Sequence, residues 1–424
     1  MNTLTLISKI GIFILLIISF LGCSSKNKQY NTTAFYGDPL LERTLAIDIN
    51  NMSLKKQIHS HGKNTYNIDI LDRNATLNKI FVMTRGSNSI DIINTKTLKT
   101  QTTIDLKHYP RSGAYNQVSK LMLISGKDKA MSTLIDAKTN KIVLELGENK
   151  LTHPKDYGGS NATGHPCWIS KDQFILINRE NRTVYLYKLL SKNNNYSAIL
   201  EDKITTNTSV HHFIKEGIYN TDISGRKKDF DSNRSIFYAA QEGSYQNNIA
   251  PSILKISIKN NKFKIIDEVS LGFAQGIEKG LHHIIFHPKQ KLIYAPSKEG
   301  ILYIIDYTTM NIISKIKTGK GSGHVVFSKK RDLAIVTNHN DKFITIIDTK
   351  KNKKIKDIVV SKNSIHNEML QSHTQYINDN EDHFYAFATD NGVFYELDLE
   401  TLKITRSLHT GGTPKQGGFI RLFH

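Results

Sequence analysis

The sequence predicts an all-β fold, an eight-bladed (alternatively seven-bladed) β-propeller closed by N- and C-terminal strands sharing one blade. Three observations carry this. Alternating apolar stretches recur along the whole chain, with 8 prolines in 424 residues and the Ile, Val, Tyr and Thr that pleated strands favour. A two-strand unit repeats at 89–104, 132–146, 301–318, 343–358 and 393–408: an alternating strand ending in Asp or Asn, a polar turn with Thr or Lys, then a second strand. Ahead of each lies a further strand, such as Lys291 to Pro296 or Asp332 to Asn338. Short strands grouped at even spacing mean radial repetition.

The blades are expected at 64–107, 108–150, 161–207, 210–272, 281–320, 322–361 and 372–410. One strand is left over at the C-terminus, Gly417 to His424, and Asn31 to Ile58 holds three strands without an inner one. Joining them completes a further blade and removes the open edges. Leu333 to Ile355 (LAIVTNHNDKFITIIDTKKNKKI) closely resembles the YVTN-type repeat of seven- and eight-bladed propellers. The resemblance covers nearly all of the mature chain and speaks to architecture rather than activity.

Residues 1–22 read as a leader: Lys9, then an apolar run from Ile10 to Leu21, shorter than the ~20 residues a spanning helix needs. The exit Leu21-Gly22-Cys23-Ser24 resembles a bacterial lipoprotein signal, which implies lipid on Cys23, a tether over 23–33 and a propeller over 34–424. No Asp follows Cys23, and in lipoproteins of this kind that implies the periplasmic face of the outer membrane. The chain carries 57 Lys and Arg against 38 Asp and Glu. In that compartment the excess points to an anionic small molecule or an acidic envelope partner rather than nucleic acid. A monomer is expected. The 2 cysteines make no disulfide framework, and no C-x-x-C-H motif for c-type haem is present.

Histidine placement is the main functional signal. Four of the 17 histidines share the pattern His-x-x-aromatic: His165, His283, His324 and His373, each at the start of an innermost strand. The fourth blade opens with His211 and His212, and His282 precedes His283. Propeller symmetry maps such positions onto one mouth of the channel, where gathered imidazoles suit copper or iron. Cys167 is a candidate soft ligand on the same strand as His165, while Arg111 and Lys415, at the corresponding starts of two other blades, are candidate anion contacts. His59 and His61 are candidate lid ligands; His153, His287, His339, His366, His383 and His409 are out of register and are assigned to loops and surfaces. The glycines of Gly319-Lys-Gly-Ser-Gly323 read as close backbone approach, and Asp222 to Asn233 as an insertion loop with a weak calcium signature.

Eight blades, an envelope address and YVTN-type repeats together resemble the haem d1 propellers of the cytochrome cd1 nitrite reductases and their biosynthetic relatives. That resemblance implies haem d1 binding, with one or two histidines as axial ligands. A multi-histidine copper site at a propeller mouth also resembles nitrous oxide reductase in site design. Against both stands a non-catalytic envelope scaffold. The metal reading expects His165, His283, His324 and His373 to converge; the scaffold reading expects them to point apart. No motif identifies a substrate or reaction.

Overall fold

The computed structural model describes residues 31–422 apart from 71–76, 152–160, 194, 217–234, 245 and 273–279. Eight four-stranded antiparallel sheets form the ring. Seven use consecutive strands: β4–β7 (Thr65–Ile70, Lys79–Thr84, Ser89–Asn94, Lys99–Asp105), β8–β11 (Pro110–Asn116, Leu121–Gly126, Lys129–Asp136, Lys141–Leu151) and β12–β15 (Cys167–Trp168, Gln173–Asn178, Thr183–Lys192, Asn195–Thr205). Next come β16–β19 (Val210–Lys215, Ile236–Gln241, Ser252–Lys259, Lys262–Ser270) and β20–β23 (Ile285–Phe286, Leu292–Ser297, Ile301–Asp306, Asn311–Lys317). The last two are β24–β27 (Ser322–Ser328, Leu333–Asn338, Phe343–Asp348, Lys353–Val359) and β28–β31 (Tyr376–Ile377, His383–Ala388, Val393–Asp398, Lys403–His409). The eighth sheet joins β1–β3 (Asn31–Asp38, Arg43–Asp48, Ser53–His59) to β32 (Gln416–Leu422), in the order β3-β2-β1-β32. The fold is thus the expected propeller, with eight blades and both chain ends in one of them.

The repeated Asp or Asn has a local cause. At the end of the third strand in six of the eight blades its carbonyl-type oxygen accepts two backbone N–H groups of the turn that follows. Asn94 Oδ1 takes Lys96 and Thr97, each at 2.9 Å; Asp348 Oδ1 takes Lys350 at 2.9 Å and Lys351 at 3.0 Å; Asp398 Oδ1 takes Glu400 at 3.0 Å and Thr401 at 2.6 Å. Each turn then closes through a left-handed residue, Leu98 at φ 53°, Asn352 at φ 51° and Leu402 at φ 54°. The middle strands of each blade are buried on both faces, whereas the outermost are largely exposed, as in β27. Apolar side chains of neighbouring blades fill the space between sheets; one such cluster joins Tyr238 and Ile253 to Phe286 and Tyr303.

Closure depends on β1 pairing with β32, Thr33 opposite Ile420 and Phe35 opposite Gly418. Tyr36 packs edge-on against Phe387 at 4.7 Å and Phe419 at 5.9 Å, tying the closing blade to its neighbour. A buried ion pair locks the connection: Arg43 Nε donates to Asp38 at 2.8 Å, and its Nη2 donates to the Thr410 and Gly411 carbonyls at 2.9 and 3.1 Å. Asp38 also accepts the Thr413 N–H at 2.8 Å. Among the described residues no helix is long and apolar enough to cross a membrane.

A Cβ on Gly417 would lie 1.9 Å from the Phe35 carbonyl oxygen, a backbone atom inside the closing pair. Gly417→Ala is therefore expected to cost on the order of 2 kcal/mol or more in the denaturation midpoint. An unchanged midpoint would contradict this account of the closure.

Candidate metal centre

The start of the innermost strand occupies the same level in every blade, so one residue from each faces the same mouth. Around the ring these are Tyr66 on β4, Arg111 on β8, His165 before β12, His211 and His212 on β16, His282 and His283 before β20, His324 on β24, His373 before β28 and Lys415 before β32. The imidazole arc converges. His283 is its hub: ring centroids lie 5.1 Å from His165, 5.2 Å from His211, 4.5 Å from His212, 4.5 Å from His282 and 4.3 Å from His324. His373 joins at 5.3 Å from His324. Two groups of three, His165–His211–His283 and His282–His283–His324, bring their ring nitrogens within 4.8 Å of one another.

Hydrogen bonds set the tautomers of two of these rings. The Gln371 carbonyl can only accept, so His339 donates to it from Nδ1 at 3.0 Å. His339 Nε2 is then an acceptor, taking the Nδ1–H of His324 at 2.9 Å. His324 is left with its Nε2 lone pair. In the same way His211 donates from Nδ1 to Glu242 at 2.9 Å, and Glu242 is itself paired with the buried Arg179. Arg179 and His211 hold the Glu242 carboxyl well below the usual range against the opposing effect of burial. Such outer partners fix ring orientation and free the opposite nitrogen for a ligand. His211 Nε2, His282 Nδ1 and His283 Nδ1 are buried with no hydrogen-bond partner. Buried polar atoms of this kind are rare in folded proteins unless a ligand completes them.

The imidazoles are neutral. Burial, then repulsion that a proton would meet from neighbouring imidazoles and cations, drives His165, His282, His283, His324 and His373 well below the ordinary histidine range. Burial takes His211 down to about 3 despite Glu242, and His339 to about 4. Neutral imidazole is the metal-binding form.

Several expectations are corrected. His339 is no surface residue: it is buried, 4.4 Å from His373 and bonded to His324. It follows β25, and in an antiparallel hairpin the end of the second strand lies beside the start of the first, where His324 opposes Thr337. Gly323 makes the room, since a Cβ there would sit 2.8 Å from the His339 ring. His287 is also buried, its Nδ1 accepting the Lys289 and Gln290 N–H groups in a turn. Cys167 is not a soft ligand: its side chain lies in an apolar cluster with Ile175 and Phe213, and burial pushes its thiol up to about 12. His165 lies before β12, which begins at Cys167, so the two residues do not share one strand face. His59 is exposed on the outermost strand β3, and the exposed His61 pairs with Asp91 at 3.2 Å; no described contact brings either ring to the imidazole arc. His383 is half-buried against Asp382, and His366 and His409 are exposed. Lys415 reaches the mouth near the Tyr66 ring, but its ammonium is paired with Glu368. Cys23, His153 and Asp222 to Asn233 lie outside the described residues.

A second register went unread in the sequence. The residue directly after the second strand is Arg85, Lys127, Arg179, Glu242, Lys298 and His339 in six consecutive blades. The hairpin argument that places His339 places them all beside the first ring. Their signal is a charged or histidine side chain at one fixed repeat position.

The fold and the site define a histidine-lined β-propeller. No family model and no curated protein matches the sequence. Solved structures match in shape. A dihydro-haem d1 dehydrogenase, NirN, in complex with DHE superposes with a TM-score of 0.66 at 10% identity, over 91% of this chain and 74% of its own. Apo AztD from Citrobacter koseri gives 0.59 at 12% identity, over 92% and 98%. BamB from Moraxella catarrhalis gives 0.54 at 13%, over 83% and 92%. At these identities the likeness is one of fold.

Stability of the metal-free protein should fall with pH. Unfolded imidazoles take up protons near 6.5, whereas His211 and His339 in the fold resist until about 3 and about 4. Below about pH 7 the unfolded state therefore binds more protons, and the fold loses stability as pH drops. Urea midpoints measured from about pH 7.5 to about pH 5 are expected to decline steadily; a flat profile would contradict neutral burial.

Proposed function

We infer that this protein is a lipid-anchored envelope propeller holding a redox metal, copper or iron, at one mouth of its channel, in respiratory redox chemistry or in metal and cofactor handling. The observation that carries this is the convergence on His283: neutral imidazoles from four consecutive blades, with His373 of a fifth joining through His324, and three buried ring nitrogens that have no other partner. The donor set fits. Nitrogen-only, uncharged ligation suits copper or iron. His165, His211, His212, His282, His283, His324 and His373 are the candidate ligands, with Glu242 and His339 orienting two of them. Copper or iron bound there supplies one-electron redox capacity and Lewis acidity. The chain's own contribution is to present lone pairs and to keep protons off them. The leader-like residues 1–22 and Cys23 support the envelope address.

A second reading has support in shape. The likeness to NirN, in complex with DHE, favours a tetrapyrrole of the haem d1 type at the same mouth, which His165 or His373 would hold because these two keep some solvent access.

Elemental analysis and an absorption spectrum of the mature protein, purified untagged from cells supplied with copper and iron, separate these readings. At least one copper or iron per chain is expected, lost in His283→Ala/His324→Ala and kept in His409→Ala. An intense macrocycle band would favour the tetrapyrrole. A folded, colourless, metal-free protein would overturn both and leave the scaffold reading.

A further inference from the structure

The arc that lacks histidine is cationic. Arg111 is buried at 3% exposure, and its Nη1 has no hydrogen-bond partner. Arg85 lies beside it, donating from Nε and Nη2 to the Arg111 carbonyl at 3.1 and 2.6 Å. The Arg85 guanidinium also stacks 3.8 Å over Tyr66, whose hydroxyl contacts His373 Nδ1 at 3.5 Å. The acids nearby are committed. Glu242 is shared by Arg179 and His211, Glu368 takes Lys415, and Asp128 accepts the Tyr109 N–H. A buried guanidinium without an anionic partner is costly, and a divalent metal on the adjoining imidazoles would add positive charge. Such a site is completed by an anion.

We propose that the mouth binds a small monoanion in contact with the Arg111 guanidinium, on the side of the channel adjoining His165. The Arg111 contact stands without a metal. Its further part, that the anion also meets a metal on the imidazole arc, rests on the function proposed above. Tyr66 and Arg85 form the wall behind the anion, and the buried surroundings favour a desolvated ion of a few atoms over a phosphorylated polymer.

Azide is a suitable probe, because its infrared stretch distinguishes bound from free ion with or without metal. It is titrated into metal-free and copper-loaded protein, and copper content is measured on the same samples. Wild type is expected to bind azide in both states, more tightly when loaded. In Arg111→Met the affinity should fall about tenfold or more in both, the loss of one charge-assisted contact. Arg111→Lys, which keeps the charge but loses the fork, should retain part of it and guards against a folding defect. Azide bound by a protein that takes up no copper at the mouth would keep the anion site and overturn the metal reading. Copper binding with equal azide affinity in wild type and Arg111→Met would overturn the anion site alone. No azide bound by metal-free wild type would also overturn it.

Discussion

Antiparallel pairing of β1 with β32 turns a row of sheets into a ring, and the mouth exists only because that ring is closed. Each innermost strand is held at a fixed level by its neighbours, so a residue at its start can meet its counterparts from other blades. Residues as far apart in sequence as Tyr66 and His373 are thereby brought into contact. The closing blade is reinforced where an open sheet would fray: a buried Asp38–Arg43 pair, a glycine admitting a carbonyl, and edge-on aromatic packing. The rigid scaffold lets short side chains act together.

Inside that frame, electrostatics constrains the site. Five blades deliver imidazoles into a space where a proton on any one would face several rings and the nearby cations. Burial keeps them neutral, and neutrality leaves lone pairs seeking a partner. Where a carboxylate or carbonyl is supplied, at Glu242 and Gln371, the tautomer follows. The same desolvation acts in the same sense on Arg111, but a guanidinium cannot readily shed its charge and is left seeking an anion. One mouth thus offers lone pairs on one arc and unsatisfied N–H on the other.

Much of this was legible because a repeat protein writes its geometry many times. Alternation, turn residues and the leftover terminal strands define eight blades and their closure, and His-x-x-aromatic marks the first ring of the mouth. The second ring escaped because its members, Arg85, Lys127, Arg179, Glu242, Lys298 and His339, differ chemically and share only a position. Reading them required the hairpin rule that the end of one strand sits beside the start of its partner. Cys167 misled for a related reason: a spacing of two puts residues on one face only within a strand, and β12 begins at Cys167, leaving His165 outside it. The side chain went to the apolar cluster between blades. His287 shows that a buried histidine out of register serves a turn instead.

The central claim is that the imidazoles gathered on His283 are a ligand set rather than a polar lining. Anomalous diffraction from crystals of the copper-loaded protein, recorded at the metal edge, tests it most directly. The account predicts one or more peaks within coordination distance, about 2.0–2.2 Å, of ring nitrogens drawn from His165, His211, His282, His283 and His324. Peaks confined to exposed histidines such as His59, His366 or His409, with the mouth empty, would contradict it.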